Sequence, residues 1–513
     1  MRTQVRALAL VVPPCLAAMF PLALLVRSHI TTHLFSAPVI LRPASVLVAA
    51  ALLVLLMFRF ALGSARKASL AATVFFVVMG LFPLLFPVQG AHSLLAAVLF
   101  TAAALGVAAV TARILDGFPG LVLGWTVALV AAWTIIATLI VSTAAWPPPV
   151  WRGAVDRIAE GARSVRLPEG GPRPDIYYIV LDGMARADAL ERLYGLDAAP
   201  ALTELEALGV LVPRRSRSNY SMTQLSLASA LNMQYLSDLA TVAGDGNDRR
   251  PLHRLSAAGG VPALLKRHGY EFVVVGSAAL IAFDHAEADR TLGSLPDGPT
   301  ELEHALLSRT PVRGRHIDRA SLAAHGRKVL ESFSLIESVR SGRPLFVMAH
   351  ILTPHPPFVL GADGSQRFGQ EVFSFSDGDG FPGTREEYTA GYRAQAAFVL
   401  QRVVALVKRI AAVSPDAVIV VHGDHGPGLA LVNDDPSRTD AWERLAIFSA
   451  YYPGGRDAAV EEDMSPVNAL RWALRTGLGA DVPLLPNRSY LSGYTQPYRW
   501  REIPASSPES RGE

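Results

Sequence analysis

Carboxylate and imidazole side chains follow three apolar segments, 176–181, 344–350 and 417–422, that are predicted to be buried β-strands. Five residues share this position, at or shortly after the end of a segment: Asp182, His350, His355, Asp424 and His425. Side chains of these types can together hold a divalent metal ion. A metal ion beside a hydroxyl group makes that hydroxyl a nucleophile. The pattern therefore indicates an enzyme with a metal site.

Asp182 and the Asp424–His425 pair are the predicted ligands from the first and last of these segments. Gly183 allows the chain to turn sharply after Asp182, and glycines also flank the pair. Taken singly, either aspartate could instead cap the helix that follows its strand. Because the two aspartates lie at the ends of separate strands, metal ligation is favoured over two unrelated caps.

Thr223 is the predicted nucleophile. It lies in a hydroxyl-rich turn with Ser221 and Ser226, at the start of a predicted helix. The free N–H groups and the dipole of a helix N-terminus favour a phosphate group and an alkoxide. Asn219 is predicted to donate a hydrogen bond to a non-bridging oxygen of that phosphate. The alternative is that Ser221 or Thr223 is only the N-cap of the helix, where these residue types are preferred.

His350 and His355 lie where the second strand passes into a loop stiffened by prolines. A single histidine at such a place is usually structural. Two histidines beside a metal site are predicted to bind the substrate phosphate or a second metal ion. Further along the chain, Arg444 could clamp an anionic group or form a salt bridge.

The C-terminal part of the chain alternates short β-rich segments with longer amphipathic ones. The predicted strands are 176–181, 271–275, 344–350, 417–422 and 445–452. The predicted helices include 201–208, 224–236, 260–268, 322–340, 386–411 and 466–477. This alternation predicts an α/β fold with a doubly wound, mostly parallel sheet. Ligands of such sheets bind beyond the carboxyl ends of the strands, where the candidate residues lie.

The N-terminal part is nearly all apolar. A bilayer-spanning helix needs roughly 20 apolar residues, and five runs are predicted to span, at about 7–26, 43–62, 68–88, 93–112 and 119–141. Basic residues concentrate on one side of these runs, at Arg2, Arg6, Arg59, Arg66, Lys67 and Arg113. This bias predicts a multi-pass protein of a bacterial-type inner or plasma membrane, with a cytoplasmic N-terminus and an extracytoplasmic C-terminal domain.

The sequence predicts four regions. Residues 1–145 form a five-span transmembrane domain, 146–173 a juxtamembrane linker with an amphipathic helix, 174–503 the catalytic domain, and 504–513 a disordered tail. The amphipathic helix either lies on the outer membrane surface or is a solvated linker helix.

Composition argues against two classes of function. The formal net charge is only +3 and no basic stripe contains interleaved aromatic residues, so no nucleic-acid partner is predicted. Cys15 is the single cysteine and lies in the first apolar run, so a catalytic cysteine in the C-terminal part is excluded.

The candidate residues carry a resemblance to a known family. Residues of about 174–455 resemble the sulfatase-like branch of the alkaline phosphatase superfamily. The five spans with an external domain resemble lipoteichoic-acid synthases and lipid A phosphoethanolamine transferases. In that group a strand-end acidic residue, a threonine nucleophile and an Asp-His pair bind the catalytic metal, and Asp182, Thr223, Asp424 and His425 match this pattern in order. The resemblance implies one or two divalent metals, zinc or manganese.

The chain also departs from these relatives. Sulfatases proper use a Cys/Ser-x-Pro-x-Arg motif, which the segment 223–227 lacks, so hydrolysis of sulfate esters is disfavoured. The first ligand is Asp182, where the two transferase families usually have glutamate. The cysteines that bracket the threonine of phosphoethanolamine transferases are absent. The chain is therefore predicted to form a separate subgroup.

The resemblance implies a membrane-anchored, metal-dependent phosphotransferase. A membrane lipid would donate a phospho-alcohol group to Thr223, and a cell-envelope glycan or glycolipid would accept it from the phosphothreonine. His350 or His355 would stabilise charge or protonate the leaving oxygen. Two alternatives stay open: a phosphodiesterase or phosphatase that uses water as the acceptor, and a non-catalytic membrane binding module.

Overall fold

The computed structural model describes residues 2–33, 37–85, 94–144, 149–257, 259–276, 287–293, 297–312, 314–368 and 370–505. The chain divides into two compact units. The N-terminal unit comprises Met1–Trp146 and Asp297–Ser321, and the C-terminal unit comprises Pro147–Pro296 and Leu322–Glu513. The sequence did not predict that Asp297–Ser321 belongs with the N-terminal helices. The predicted disordered tail lies, from residue 506 onward, outside the described residues.

The helices of the described residues are, in chain order, α1 (Arg2–His29), α2 (Ala37–Leu62), α3 (Ala65–Gly80), α4 (Phe82–Leu85), α5 (Leu94–Leu115), α6 (Pro119–Ala144), α7 (Pro149–Arg163), α8 (Ala187–Tyr194), α9 (Ala199–Ala207), α10 (Thr223–Asn232), α11 (Ser237–Ala243), α12 (Arg250–Ala257), α13 (Gly260–Arg267), α14 (Glu301–Leu307), α15 (Arg315–Ser338), α16 (Arg385–Val413), α17 (Ala441–Leu445) and α18 (Pro466–Leu478).

Apolar helices form most of the N-terminal unit. Among the described residues, three stretches are long and apolar enough to cross a membrane: Leu8–His29, Ala37–Leu62 and Val98–Leu115. Trp125–Ile140 in α6 is apolar but shorter. The predicted span 68–88 falls on α3, which ends at Gly80, and on α4, while its last residues lie outside the described part. Apolar N-terminal helices are thus confirmed, and the count of five spans stays a prediction.

Charged residues pair at two places along α2. Near its start, the Arg42 Nε donates to the Glu303 carboxylate over 2.7 Å and the Arg42 Nη2 donates to the Gly298 carbonyl over 2.9 Å. Beyond its end, the Lys67 ammonium lies 3.4 Å from the Asp116 carboxylate. The segment Asp297–Ser321 therefore meets the bundle at the end where α2 begins.

The C-terminal unit is built on a six-stranded sheet of order β3-β2-β4-β1-β5-β6. The strands are β1 (Ile176–Leu181), β2 (Glu271–Gly276), β3 (Arg290–Leu292), β4 (Leu345–Ile351), β5 (Val418–Gly423) and β6 (Ser449–Tyr452). All pairs are parallel except β5 with β6. A separate antiparallel pair joins β7 (Tyr490–Leu491) to β8 (Arg501–Glu502). The predicted α/β fold with a mostly parallel sheet is confirmed.

Helices cover both faces of the sheet. Successive β1 side chains point to opposite faces, so neighbouring residues of β1 pack into different clusters. Ile179 packs in one buried cluster with side chains of α15 and α16, and Tyr178 packs in a second with side chains of α10, α13 and α18. Two strand predictions need correction. The segment 445–452 contains the end of α17 and then β6, and β3 was missed because it has only three residues, none of them fully buried.

The predicted amphipathic helix forms as α7, but its apolar face is not exposed. Ala154, Val155, Ile158, Ala159 and Ala162 are buried within the C-terminal unit, where α7 packs against α11, α12 and α13. Protein, and neither lipid nor solvent, therefore covers this apolar face, and a position of the helix at the membrane surface stays a prediction. The sequence pattern identifies an apolar face but not the surface that covers it.

The register of the three central strands brings their ends to one level. Leu181, the last residue of β1, pairs with Ile351 of β4 and with Gly423 of β5. Asp182 and Asp424 follow directly, and His350 lies one residue before the end of β4. This edge of the sheet positions the candidate site.

Candidate active site

Two aspartates and a histidine lie together at the strand ends. Ligand atoms of Asp182, His350 and Asp424 all lie within 4.8 Å of one another, and all three side chains are buried. The His350 Nε2 is 3.0 Å from the Asp182 Oδ2. The Gly183 N–H donates to the Asp424 Oδ1 over 3.0 Å. Gly183 has a positive φ of 74°, a backbone conformation that glycine adopts without strain. The sequence predicted that His350 binds the substrate phosphate or a second metal ion, and the structure places its side chain with the carboxylates.

His425 joins the group through its Nε2 atom. The His425 Nδ1 lies 2.9 Å from the Gly426 carbonyl oxygen, an acceptor, so we assign the ring proton to Nδ1 and the lone pair to Nε2. That Nε2 is 3.3 Å from the Asp424 Oδ2 and 3.5 Å from the Asp182 Oδ1. It also lies 3.1 Å from the Thr223 hydroxyl oxygen. All four predicted metal ligands are thus brought together.

The residues present fit a divalent cation. The Asp182 Oδ1 and the Asp424 Oδ2 are buried and have no hydrogen-bond partner. Buried carboxylate oxygens without a partner are costly, so such groups are normally paired or coordinate a metal. Both oxygens lie within 3.5 Å of the same His425 nitrogen, and a mixed oxygen and imidazole set suits zinc or manganese.

The electrostatics favour the protonation states that ligation requires. Burial raises the pKa of Asp182, but the imidazoles of His355, His350 and His425 outweigh it and the pKa is lowered overall. Burial and then the Arg444 guanidinium lower the pKa of His425. Asp182 is therefore ionised and His425 neutral at neutral pH. For His350, burial lowers the pKa, but the hydrogen bond with Asp182 outweighs it and raises the pKa.

Thr223 opens α10, and its role as an N-cap is not supported. The N-cap position is Met222, whose side chain makes no capping hydrogen bond. Thr223 is already the first helical residue, so its hydroxyl points toward His425 rather than back to the helix. The first turn of α10 thus presents N–H groups and a positive dipole end without a side-chain cap.

His355 lies on the other side of the group. Its Nδ1 is 2.6 Å from the Pro356 carbonyl oxygen, which assigns the proton to Nδ1 and turns Nε2 toward Asp377. The His355 Nε2 is 3.9 Å from the Asp377 Oδ2, and the His355 and His425 ring centres are 6.3 Å apart. His355 therefore lies beside His425, the residue whose Nε2 contacts the Thr223 hydroxyl.

Asn219 does not join the site. Its amide nitrogen donates to the Tyr235 hydroxyl over 3.2 Å and to the Arg488 carbonyl over 2.8 Å. Its amide oxygen accepts from the Val467 N–H over 2.8 Å, and the side chain is fully buried. These bonds occupy both ends of the amide, so Asn219 fastens the turn before Thr223 and the predicted contact with a phosphate oxygen is wrong.

Arg444 and Asp377 form a buried ion pair beside the site that the sequence did not predict. Arg444 of α17 donates from Nη1 to the Asp377 Oδ2 over 2.8 Å, and both side chains are buried. Asp377 also accepts from the Tyr388 hydroxyl over 2.7 Å. The sequence alone leaves Arg444 between a clamp and a salt bridge, and it does not single out Asp377, which lies in a loop. Only the fold reveals that this loop buries a carboxylate beside His355.

Residues 489–490, near the C-terminus, hold the turn that precedes Thr223. The Tyr490 N–H donates to the Asn219 carbonyl over 2.9 Å, and the Ser489 hydroxyl donates to the Ser218 carbonyl over 2.8 Å. The Tyr220 and Tyr490 rings stack with centres 5.5 Å apart. The position of Thr223 therefore depends on residues more than 250 positions away in the chain.

A family model for sulfatases matches residues 174–457, more than half of the chain. The chain therefore belongs to the sulfatase family, and with it to the alkaline phosphatase superfamily of enzymes. The predicted family and the prediction of an enzyme are confirmed. The match ends before the segment that holds the nucleophile turn. None of the curated proteins compared with the chain matches it.

Several solved structures are similar to the chain at low identity. The C-terminal periplasmic domain of EcEptC from Escherichia coli is 14% identical, covers 64% of this chain and 92% of that chain, and has a TM-score of 0.41. The integral membrane lipooligosaccharide phosphoethanolamine transferase A (EptA) from Neisseria meningitidis is 13% identical. The match covers 83% of this chain and 79% of EptA, with a TM-score of 0.40. The phosphonate monoester hydrolase SpPMH from Silicibacter pomeroyi is 15% identical. The match covers 60% of this chain and 74% of SpPMH, with a TM-score of 0.39.

Proposed function

We propose that this enzyme is a metal-dependent phosphotransferase that moves a phospho-alcohol group from a membrane lipid to a cell-envelope glycan or glycolipid through a phosphothreonine at Thr223. The observation that carries the proposal is the placement of the Thr223 hydroxyl. It lies at an uncapped helix N-terminus, 3.1 Å from the His425 Nε2 and beside two unpaired carboxylate oxygens. The apolar N-terminal helices would keep this site at the surface that holds a lipid donor.

Asp182, Thr223, Asp424 and His425 would hold one divalent metal, and His350 or His355 would contact the phosphate or a second metal. When bound, the metal would lower the pKa of the hydroxyl and neutralise charge on the phosphate. Zinc and manganese both suit this donor set.

The residues of the chain would act in two steps. In the first, the Thr223 hydroxyl loses its proton to solvent, its oxygen bonds to the donor phosphorus, the bond to the lipid alcohol breaks, and His355 or His350 in its protonated form gives a proton to the leaving oxygen. In the second, the acceptor hydroxyl gives its proton to the same histidine and its oxygen bonds to phosphorus, while the bond between phosphorus and Thr223 breaks and Thr223 takes a proton from solvent. The N-terminus of α10 would stabilise the phosphate in both steps.

We place the catalytic unit on the extracytoplasmic side of a bacterial-type inner or plasma membrane, after five spans. The charge bias along the N-terminal part supports this side.

A second candidate is a phosphodiesterase or phosphatase with water as the acceptor. Membership of the sulfatase family favours it, because that family is named for ester hydrolysis. The two candidates differ in the second step only, so the same residues would serve both.

The test is mass spectrometry of the envelope lipids and glycans of cells that carry the native protein or Thr223→Ala. We expect a phosphoglycerol- or phosphoethanolamine-sized mass to be missing from one glycan or glycolipid in the variant. Thr241→Ala, which removes an exposed threonine hydroxyl from α11, is the matched control. Identical profiles with well-expressed Thr223→Ala protein would reject transfer, and release of phosphate or a phospho-alcohol without an acceptor would support the hydrolase.

A further inference from the structure

Arg444 is held rigidly beside the nucleophile. Its side chain is only 6% exposed. The Nε donates to the Ser221 carbonyl over 3.0 Å, and the Nη1 donates to the Asp377 carboxylate over 2.8 Å and to the Gly426 carbonyl over 3.0 Å. These contacts fix the plane of the guanidinium, and they therefore also fix the direction of its remaining nitrogen, Nη2.

The Nη2 of Arg444 points to the metal side of the site. Among the described residues its hydrogen-bond partner is the His425 Nε2, at 3.3 Å. The His425 Nε2 also lies 3.1 Å from the Thr223 hydroxyl oxygen. Because the His425 Nδ1 donates to the Gly426 carbonyl, the Nε2 offers one lone pair, for which the Arg444 Nη2, the Thr223 hydroxyl and a metal ion would compete.

Metal binding would remove the acceptor that Nη2 now uses. A buried guanidinium donor without an acceptor is costly, so Nη2 would then need another oxygen or nitrogen. The nucleophile and Nη2 both lie within hydrogen-bonding distance of one His425 atom, so a single tetrahedral group can contact both. A phosphoryl group attacked by Thr223 would place its non-bridging oxygens there.

We infer that Arg444 is an anion-binding residue of the site, whose Nη2 donates to a non-bridging oxygen of the phosphoryl group that Thr223 attacks. This inference rests on the proposed function and narrows its substrate class to phosphate esters with a free anionic oxygen. A neutral carboxylic ester would offer Nη2 no charged acceptor. The planar fork of arginine suits this task, since one guanidinium holds the protein with Nε and Nη1 while Nη2 contacts the substrate.

Asp377 acts in this scheme as a positioning residue. It neutralises Arg444 and holds Nη1, and it is itself held by the Tyr388 hydroxyl over 2.7 Å. The Asn433 amide also donates to the Asp377 carbonyl over 2.9 Å. Loss of the Asp377 charge would loosen Arg444 without removing its charge.

The experiment measures binding of inorganic phosphate to the purified full-length protein, loaded with zinc or manganese, by isothermal titration calorimetry. We expect Arg444→Gln to weaken phosphate binding by about tenfold to a hundredfold, the range for a hydrogen bond to a charged group. Arg444→Lys keeps the charge but not the fork, so it should weaken binding nearly as much. Asp377→Asn should weaken it less, because Arg444 remains.

Arg471→Gln is the matched control. Arg471 is equally buried, but its guanidinium donates to the Met233 and Pro483 carbonyls rather than to the site. This variant should bind phosphate like the native protein. If Arg444→Gln does not fold, the comparison of Arg444→Lys with Asp377→Asn carries the test.

The inference is overturned if metal-loaded native protein does not bind phosphate, or if the Arg444 variants bind it as the native protein does. An equal loss in Arg471→Gln would also overturn it. These results are independent of the proposed transfer, which is judged by the missing envelope product of Thr223→Ala. A phosphate site that depends on Arg444 in a protein that transfers nothing would leave the inference standing and reject the transferase.

Discussion

The two sides of the Thr223 hydroxyl are built from different parts of the chain and in different electrostatic states. On one side, Asp182 and Asp424 extend from the ends of β1 and β5, and each has a buried oxygen without a partner. On the other side, Asp377 and Arg444 come from a loop and from the short helix α17, and they pair with each other over 2.8 Å.

This difference separates what the site lacks from what it already contains. The strand-end side carries two carboxylates, each with one buried oxygen that no protein group pairs, so it favours a bound cation. The loop side is a complete ion pair that needs no cation and offers one oriented donor. A metal ion and an anionic substrate would therefore be bound by separate groups on opposite sides of one nucleophile.

The largest effect is expected from Thr223→Ala, which removes the group between the two sides. Turnover should fall by at least about 10³-fold, because the covalent step is lost. Three of the four proposed metal ligands remain, so the variant should keep a reduced metal-dependent rise in melting temperature and should still bind phosphate. Thr223→Ser, which keeps a hydroxyl, should recover part of the activity and the full metal-dependent rise. Complete loss of metal binding in Thr223→Ala would show that the hydroxyl is a principal metal ligand, and the loss of activity would then not identify it as the nucleophile.

Asp377→Asn should have the largest effect on stability. It leaves the Arg444 guanidinium buried without its charge partner, and breaking a buried ion pair in this way costs about 3–5 kcal/mol. Chemical denaturation of the metal-free protein measures this change in the free energy of unfolding. Asp379→Asn, in the same loop but exposed, should cost far less. A similar loss in both variants would show that the loop, and not the ion pair, is responsible.

The pH dependence of the Asp377 pair has a definite sign. Burial raises the pKa of Asp377, but Arg444 and His355 outweigh it and lower the pKa overall. A lowered carboxyl pKa gives stability that is present above the usual aspartate pKa and is lost as pH falls through the value in the folded protein. The destabilisation by Asp377→Asn should thus shrink in acid.

Asp424→Asn tests the strand-end side and should act in opposite directions with and without metal. The amide oxygen can still accept from the Gly183 N–H. Without metal, removal of one of two neighbouring buried charges should stabilise the protein. With metal at a hundred times its dissociation constant, the native protein gains about 2.7 kcal/mol, which the variant should lack. Melting temperatures with and without zinc or manganese check both signs, and a variant less stable than the native protein in both states would contradict the need for a cation.

The difference between the two sides also explains what sequence could predict. Asp182, Asp424 and His425 follow continuous apolar strands, and the rule that ligands bind beyond the carboxyl ends of parallel strands suffices to bring them together. Asp377 follows no strand and lies in a glycine-rich loop, whose path depends on contacts with Tyr388 and Asn433.

Asn219 shows the same limit from the opposite direction. A polar residue close to the nucleophile in sequence was predicted to face the substrate. Its partners Val467 and Arg488 lie far along the chain, so their proximity is a property of the tertiary fold alone. For α7, the apolar face was predicted correctly, but the helices that cover it could not be identified from its own sequence.

The smallest effect concerns a buried histidine near the loop side. His325 is buried, its ring packs edge-on against Phe375 at 5.3 Å, and its Nε2 has no hydrogen-bond partner. Burial, followed by the charge of His355, lowers the pKa of His325 from 6.5 to about 4. A lowered histidine pKa gives stability that is present above pH 6.5 and is lost as pH falls toward 4.

Between pH 6.5 and 5, His325 should therefore account for a loss of about 1.5 kcal/mol in the free energy of unfolding. Denaturation curves of His325→Phe should show that much less dependence on pH, because phenylalanine does not titrate. Phe375→Leu should lower stability by the same amount at both pH values, since it removes packing but no titrating group. If His325→Phe keeps the native slope, groups other than His325 cause the acid sensitivity, and burial does not lower the pKa of His325.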